Sequence, residues 1–217
     1  MKPMNKLSSV FLSALALVIG GCDWGVRGNG HIVTDQRAIE DFSEIHARGA
    51  FDIEWRNGPP SLSITTDENL LPYIETRKID NYLELRTREH LRPRRGVTVV
   101  LSSPTRSGAK LSGATDLKVS GLSGPKFAVE SSGAVDVTLD GAVDELLADM
   151  TGASDLKAKA LQARTIQIST TGAGSALVNP TETLRVDITG AGDVTYFGNA
   201  KSIEKHVTGA GSIHHKD

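Results

Sequence analysis

The sequence contains one cysteine, Cys22, in 217 residues, so an intramolecular disulfide and a cysteine-rich metal site are both excluded. Aromatic residues are scarce, at 5%, which leaves small and β-branched side chains to fill the interior. Neither sign of charge dominates. The 24 basic and 26 acidic residues give a net −2, so no overall field draws the chain to nucleic acid. The main apolar stretch, Val10 to Ile19, is too short and too rich in small neighbours for a spanning helix. No Ser-His-Asp order and no His-rich metal motif is present, and no cofactor is implied.

Glycine, in contrast, is plentiful, at 22 residues, and much of it is periodic. One phrase recurs: SGATDL from Ser112, SGAVDV from Ser132, TGASDL from Thr151, TGAGSA from Thr171, TGAGDV from Thr189 and TGAGSI from Thr208. Its glycines, Gly113, Gly133, Gly152, Gly172, Gly190 and Gly209, stand 20, 19, 20, 18 and 19 residues apart. A period near 20 that tolerates one-residue slips marks units that must stack to bury an apolar face. Each repeat carries two period-two strands, such as Val135, Val137 and Leu139 after a glycine and Leu184, Val186 and Ile188 before one. Two strands and two bends in about 19 residues predict an all-β fold, a parallel β-helix or β-solenoid. The alternative is an antiparallel meander with each phrase as a hairpin turn, but that needs a similar turn at every strand. The glycines are structural: a sharp corner needs positive φ, and the alanine that follows leaves room for stacking.

The chain divides into three parts. Lys2, Lys6 and the apolar run ending Ile19-Gly20-Gly21-Cys22 resemble a bacterial lipoprotein signal, with residues 1–21 removed and Cys22 lipidated. Residues 22–38, rich in glycine, read as a flexible tether. Asp23, next to the lipidated position, resembles an inner-membrane retention signal of enteric bacteria. Residues 39–217 form the folded domain, and its first part is irregular. There Gly49-Ala50-Phe51-Asp52-Ile53 already carries the repeat phrase, Asp67 to Leu71 reads as a capped helical turn stopped by Pro72, and Asp80-Asn81 as a hairpin turn.

The run ITGAGDVTYFGNAKSIEKHVTGAGSI (Ile188 to Ile213), with DENLLPYIETRKIDNYLELRT (Asp67 to Thr87), resembles the family of auto-transporter adhesin heads known as GIN domains. The likeness extends from about Phe42 to Ile213, and the repeated turns and the Tyr196-Phe197-Gly198-Asn199 bend are its most specific parts. The resemblance implies a right-handed β-helix-like domain on secreted or lipid-anchored envelope proteins, with adhesion as the usual role.

Three constellations are candidate sites. Three residues after each glycine come Asp52, Asp116, Asp136, Asp155, Ser175, Asp193 and Ser212, which stacking would align about 4.8 Å apart. Such a column could share calcium, but Asp and Ser interchange along it, which suits a set of turns in which each side chain accepts an N–H of its own corner. A basic loop with Arg88, Arg92, Arg94 and Arg95 beside His90 could contact an anionic glycan or phospholipid, or be a solvated charge run diluted by Glu89. His206, His214 and His215 match no metal spacing and read as a polar end that discourages strand addition. The expected function is a non-catalytic, adhesin-like binding module of the cell envelope. It would be held to the membrane by lipid on Cys22, with an envelope glycan, another envelope protein or a further copy of the chain as partner. The competing functions are a polysaccharide lyase or hydrolase acting on acidic glycans and an anionic-lipid-binding protein.

Overall fold

The structure is a computed structural model that describes residues 25–216. Cys22 and the signal segment lie outside the described residues. In chain order the elements are β1 (Val26–Arg27), β2 (Ile32–Arg37), β3 (Glu44–Asn57), β4 (Ser61–Asp67), a 3-10 turn (Glu68–Tyr73), β5 (Ile74–Ile79), β6 (Tyr82–Thr87), β7 (Leu91–Arg92), β8 (Thr98–Ser103), β9 (Gly108–Gly172), β10 (Ser175–Gly190), β11 (Asp193–Tyr196), β12 (Ser202–Gly209) and β13 (Ser212–His215). The fold is nearly all β, and the sheet does not close into a barrel.

β9 is extended for 65 residues, which laid straight would reach roughly 215 Å. It turns at each glycine instead, and every repeat lies on the one before. β3 pairs with β9 in parallel, Gly49 against Gly113, and β10 pairs in parallel with both β9 and β12, Gly190 against Gly172 and Gly209. These parallel registers exclude the meander for the repeat region, and the first glycine of the series is Gly49. The six periodic glycines have φ between 103° and 130°. A Cβ on any of them would lie 2.3–2.5 Å from the carbonyl oxygen of the glycine beneath, so only glycine lets the corners approach this closely.

Alternation along each strand sends one set of side chains into a single continuous core. Its wide end is filled by aromatics: Phe42 stacks on Trp55 at 5.8 Å between centroids, and Phe127 tilts against Trp55 at 6.2 Å. The indole N–H of Trp55 donates to Ser103 Oγ at 2.9 Å, which satisfies the one polar atom that ring buries. Beyond Phe127 the buried apolar residues are aliphatic apart from Met150 and Tyr196, with Ala148, Ala158, Ala163 and Ala176 among them. The first inward residue after each corner glycine passes from Phe51 through Thr115, Val135 and Ser154 to Gly174, Gly192 and Gly211. Few aromatics are needed because most of the core is this narrow.

The irregular first part covers the N-terminal end. β2 and β8 flank β4 in antiparallel pairs, while β6 lies parallel to β3. The β5–β6 hairpin turns at Asp80-Asn81 as expected, with Ile79 opposite Tyr82 and Asp80 at φ 47°. Two expectations need correction. Asp67 precedes a 3-10 turn, but its side chain makes no cap bond, and Pro72 lies inside the turn rather than ending it. Residues 26–27 and 32–37, read as tether, are strands, because β4 and β7 offer them free edges that no local pattern announces.

The glycine column gives a paired prediction. Gly152→Ala combines a strained φ of 103° with a Cβ 2.5 Å from the Gly133 carbonyl oxygen and should cost about 2–4 kcal/mol. Gly124 also has positive φ but open space around it, so Gly124→Ala should cost about 1 kcal/mol. Thermal melts of the two variants should differ by at least several degrees, and equal melting temperatures would refute the close-approach account.

Candidate functional site

Stacking aligns the third residue after each glycine. Asp52 faces Asp116, Asp155 faces Ser175, Ser175 faces Asp193, and Asp193 faces Ser212. The hydrogen bonds correct one expectation. The Asp136, Asp155 and Asp193 carboxylates accept from the next repeat rather than from their own corners. Asp155 Oδ1 accepts from the Ser175 backbone N at 2.9 Å and from Ser175 Oγ at 2.6 Å, and Asp193 Oδ1 accepts from Ser212 Oγ. Asp and Ser therefore alternate as acceptor and donor, which is why they interchange. Where Asp follows Asp, lysine intervenes: Lys157 Nζ donates to Asp136 Oδ2 at 2.9 Å. Lys157 relieves Asp116 only in part. Partial burial, then the charges of Asp136 and Asp52, raise its carboxyl above the ordinary range. Among the described residues no three His, Cys, Asp or Glu side chains converge as a metal site would require.

The four loop arginines do not form one free patch. Arg88 is bound to Glu75, a nearly buried carboxylate that also takes Arg86 Nε at 2.6 Å. The hydrogen bonds from Arg88 and then Arg86 hold the Glu75 carboxyl below the ordinary range. Arg92 belongs to β7, paired with β1. The Arg94 backbone N donates to Asp67 Oδ2 at 2.8 Å, and Gly30 N donates to Asp67 Oδ1 at 2.6 Å. Burial works against that carboxylate, but these N–H groups outweigh it and hold the Asp67 carboxyl below its usual range. Arg95 is exposed. The loop thus fastens the N-terminal strands to the stack.

The histidines are dispersed. His215 stacks on Tyr196 at 4.7 Å, His214 Nε2 lies 2.9 Å from Ser212 Oγ, and His206 sits on β12 in register with Asp187. The end they mark is less polar than expected, since Ile203 and Val207 are 38% and 40% exposed there.

A groove that the sequence reading missed runs over the outer face of β3, β6 and β9. His46, Arg48, Glu84, Arg86, Lys110 and Glu130 line it, with Ser112, Ser132 and Thr151 along one side. His46 stacks on Tyr82 at 3.9 Å, and its Nε2 is buried without a hydrogen-bond partner. Burial and then the Lys110 ammonium hold the imidazole below its ordinary pKa, against the pull of Glu44. Lys110 pairs with Glu130 of the next repeat at 2.9 Å. His46 and Lys110 meet only through the parallel register of β3 on β9. The usable signal was positional: both stand three residues before a corner glycine.

In-register parallel repeats, with paired charges and exposed hydroxyls outside, define a repeat protein with a broad polar face. Residues 41–200 match the family model described as "Putative auto-transporter adhesin, head GIN domain", and the chain belongs to that family. It is similar to the crystal structure of a putative adhesin from Bacteroides fragilis, with a TM-score of 0.74 and 22% identity over 88% of this chain and 100% of that one. A putative lipid binding protein from Parabacteroides distasonis aligns with a TM-score of 0.60 and 21% identity over 88% and 99% of the two chains. A putative adhesin from the same species aligns at 0.55 and 20% identity over 88% and 100%. At these identities the structures speak for the fold. No curated protein matches the sequence.

The raised Asp116 carboxyl sets a sign. The folded state holds that proton more tightly than the unfolded chain, so stability falls as pH rises through the interval from the ordinary to the raised value. Asp116→Asn should therefore raise the melting temperature at pH 7, with the gain vanishing below about pH 3, where the unfolded carboxyl is also protonated. A melt series across pH checks this. In the same assay millimolar calcium should leave the wild-type midpoint unmoved, since a specific ion would raise it. Asp155→Asn should have little effect, because an amide oxygen still accepts from Ser175 N.

Proposed function

We propose that this chain is a lipid-anchored protein of the bacterial cell envelope, whose parallel repeats form a right-handed β-helix serving as a non-catalytic, adhesin-like binding module. The observation that carries this reading is the groove over β3, β6 and β9, where cationic, acidic and hydroxyl side chains line an open strip on a rigid sheet. Such a strip suits an extended, hydroxylated and partly charged ligand, and an envelope glycan has that chemistry. Family membership supports an envelope or surface location. The binding reading is preferred to catalysis because the carboxylates of Asp136 and Asp155 are engaged by side chains of the neighbouring repeat rather than directed at a shared gap.

The test uses the full chain with pectin-like and other acidic glycans. Saturable, salt-sensitive retention without new reducing ends or unsaturated products is expected. Arg48→Glu combined with Lys110→Glu should lower retention severalfold. Turnover abolished by Asp136→Ala or Asp155→Ala would instead establish the lyase or hydrolase reading. Binding to anionic vesicles but not to glycans would favour the lipid reading, which the Parabacteroides neighbour's description also suggests.

The anchor has its own test. Cys22→Ser should move the protein from the membrane to the soluble fraction and abolish labelling by a palmitate analogue. Membrane retention of the serine variant would remove the lipid from the account.

A further inference from the structure

Among the described residues the sheet ends in β2 on the N-terminal side and in β12 and β13 on the C-terminal side. At the N-terminal end β4 and then β2 continue the sheet beyond β8 in antiparallel pairs, and the 3-10 turn follows β4. At the C-terminal end, among the described residues, β12 pairs with β10 alone, so its other backbone edge is unpaired. Ile203, Lys205 and Val207 stand in register over the buried Leu184, Val186 and Ile188. Among the described residues they occupy core positions with no repeat paired above them.

The residues of β12 read almost the same in both directions about Lys205. Hydroxyls stand at Ser202 and Thr208, branched aliphatics at Ile203 and Val207, and a carboxylate and an imidazole at Glu204 and His206. An isologous contact between two copies demands this kind of self-complementarity. We propose that a second copy of this chain docks on the open end by antiparallel pairing of β12 with β12, about a two-fold axis at Lys205. Ile203 then meets Val207 of the second copy, which continues the core across the junction. On the outer face Glu204 lies 3.4 Å from Arg185, and His206 stands in register with Asp187. Pairing sets Glu204 opposite His206 of the second copy. The order across the junction becomes Arg185, Glu204, His206, Asp187, alternating in sign when His206 is protonated.

Lys205 meets itself at the axis. Its Nζ lies 4.9 Å from the centroid of its own Tyr196 ring, so the stem covers the core end while the ammonium opposes its counterpart. An inward charge on an edge strand limits open-ended pairing. The dimer is therefore reversible and concentration-dependent, and an unrelated strand has no need of the palindromic order.

Cysteine cross-linking in the full chain with Cys22→Ser reads the register. Directly opposed antiparallel residues have Cα atoms about 4.5–5.5 Å apart, within reach of a disulfide. Lys205→Cys should thus give a linked dimer under mild oxidation. Ile203→Cys and Val207→Cys should each stay monomeric alone, since like positions lie roughly 13 Å apart, yet link when mixed. By sedimentation, Lys205→Met should dimerise at concentrations at least tenfold below wild type. A Lys205→Cys chain that remains monomeric while keeping its wild-type melting temperature overturns the proposal. So does self-linking of Ile203→Cys or Val207→Cys at the rate of Lys205→Cys, or weaker association of Lys205→Met.

Discussion

Everything in this molecule depends on how closely two glycine corners can approach. The carbonyl oxygen of each corner lies where a Cβ of the next would be, and that fixes the spacing and the lateral position of successive repeats together. Once the corners coincide, the strands on both sides fall into parallel register, and the residues between them are sorted into core and surface by alternation. Repeats of 18, 19 and 20 residues share one register because the slips are absorbed at the far bends, as between Val178 and Thr183, and never at the corner. The surface chemistry is a consequence of this backbone contact.

The outer faces then arrange themselves by neighbour-to-neighbour exchange. Lys110 with Glu130, Lys126 with Glu145, Lys157 with Asp136 and Arg185 with Glu204 are each one step apart along the stack. Exposed pairs of this kind contribute little stability individually. Their effect is on register, since a repeat displaced by one residue would set its outward charges toward the core. The Asp–Ser hydrogen bonds act in the same sense, giving each repeat a donor where its neighbour has an acceptor.

Much of this was legible in the sequence because it is periodic. Six spaced glycines indicate the corners, and the strand alternation indicates the buried face, without any knowledge of long-range contacts. What escaped has a common physical character. The pairing of β2 with β4, the docking of β1 on β7 and the clasp of Gly30 and Arg94 on Asp67 join segments far apart in the chain, and each occurs once. The groove at His46 escaped for the same reason, since it takes residues from β3, β6 and β9. Arg88 looked like a free cation because Glu75, its partner, comes to it only through the β5–β6 hairpin.

The Asp67 clasp also has a mechanical meaning. A pull on the N-terminus enters the fold through β1, which holds to β7 over two residues, and then through Gly28 and Gly30 beside Asp67. Behind them β2 is held to β4 by six paired residues, and further along the repeats are joined by ladders of eight to fourteen. Tension on that end would therefore peel the entry segment first, lengthening the N-terminal segment while the repeats stayed intact. A chain built this way yields to tension at its N-terminal segment, with the outer face of the repeats still in place.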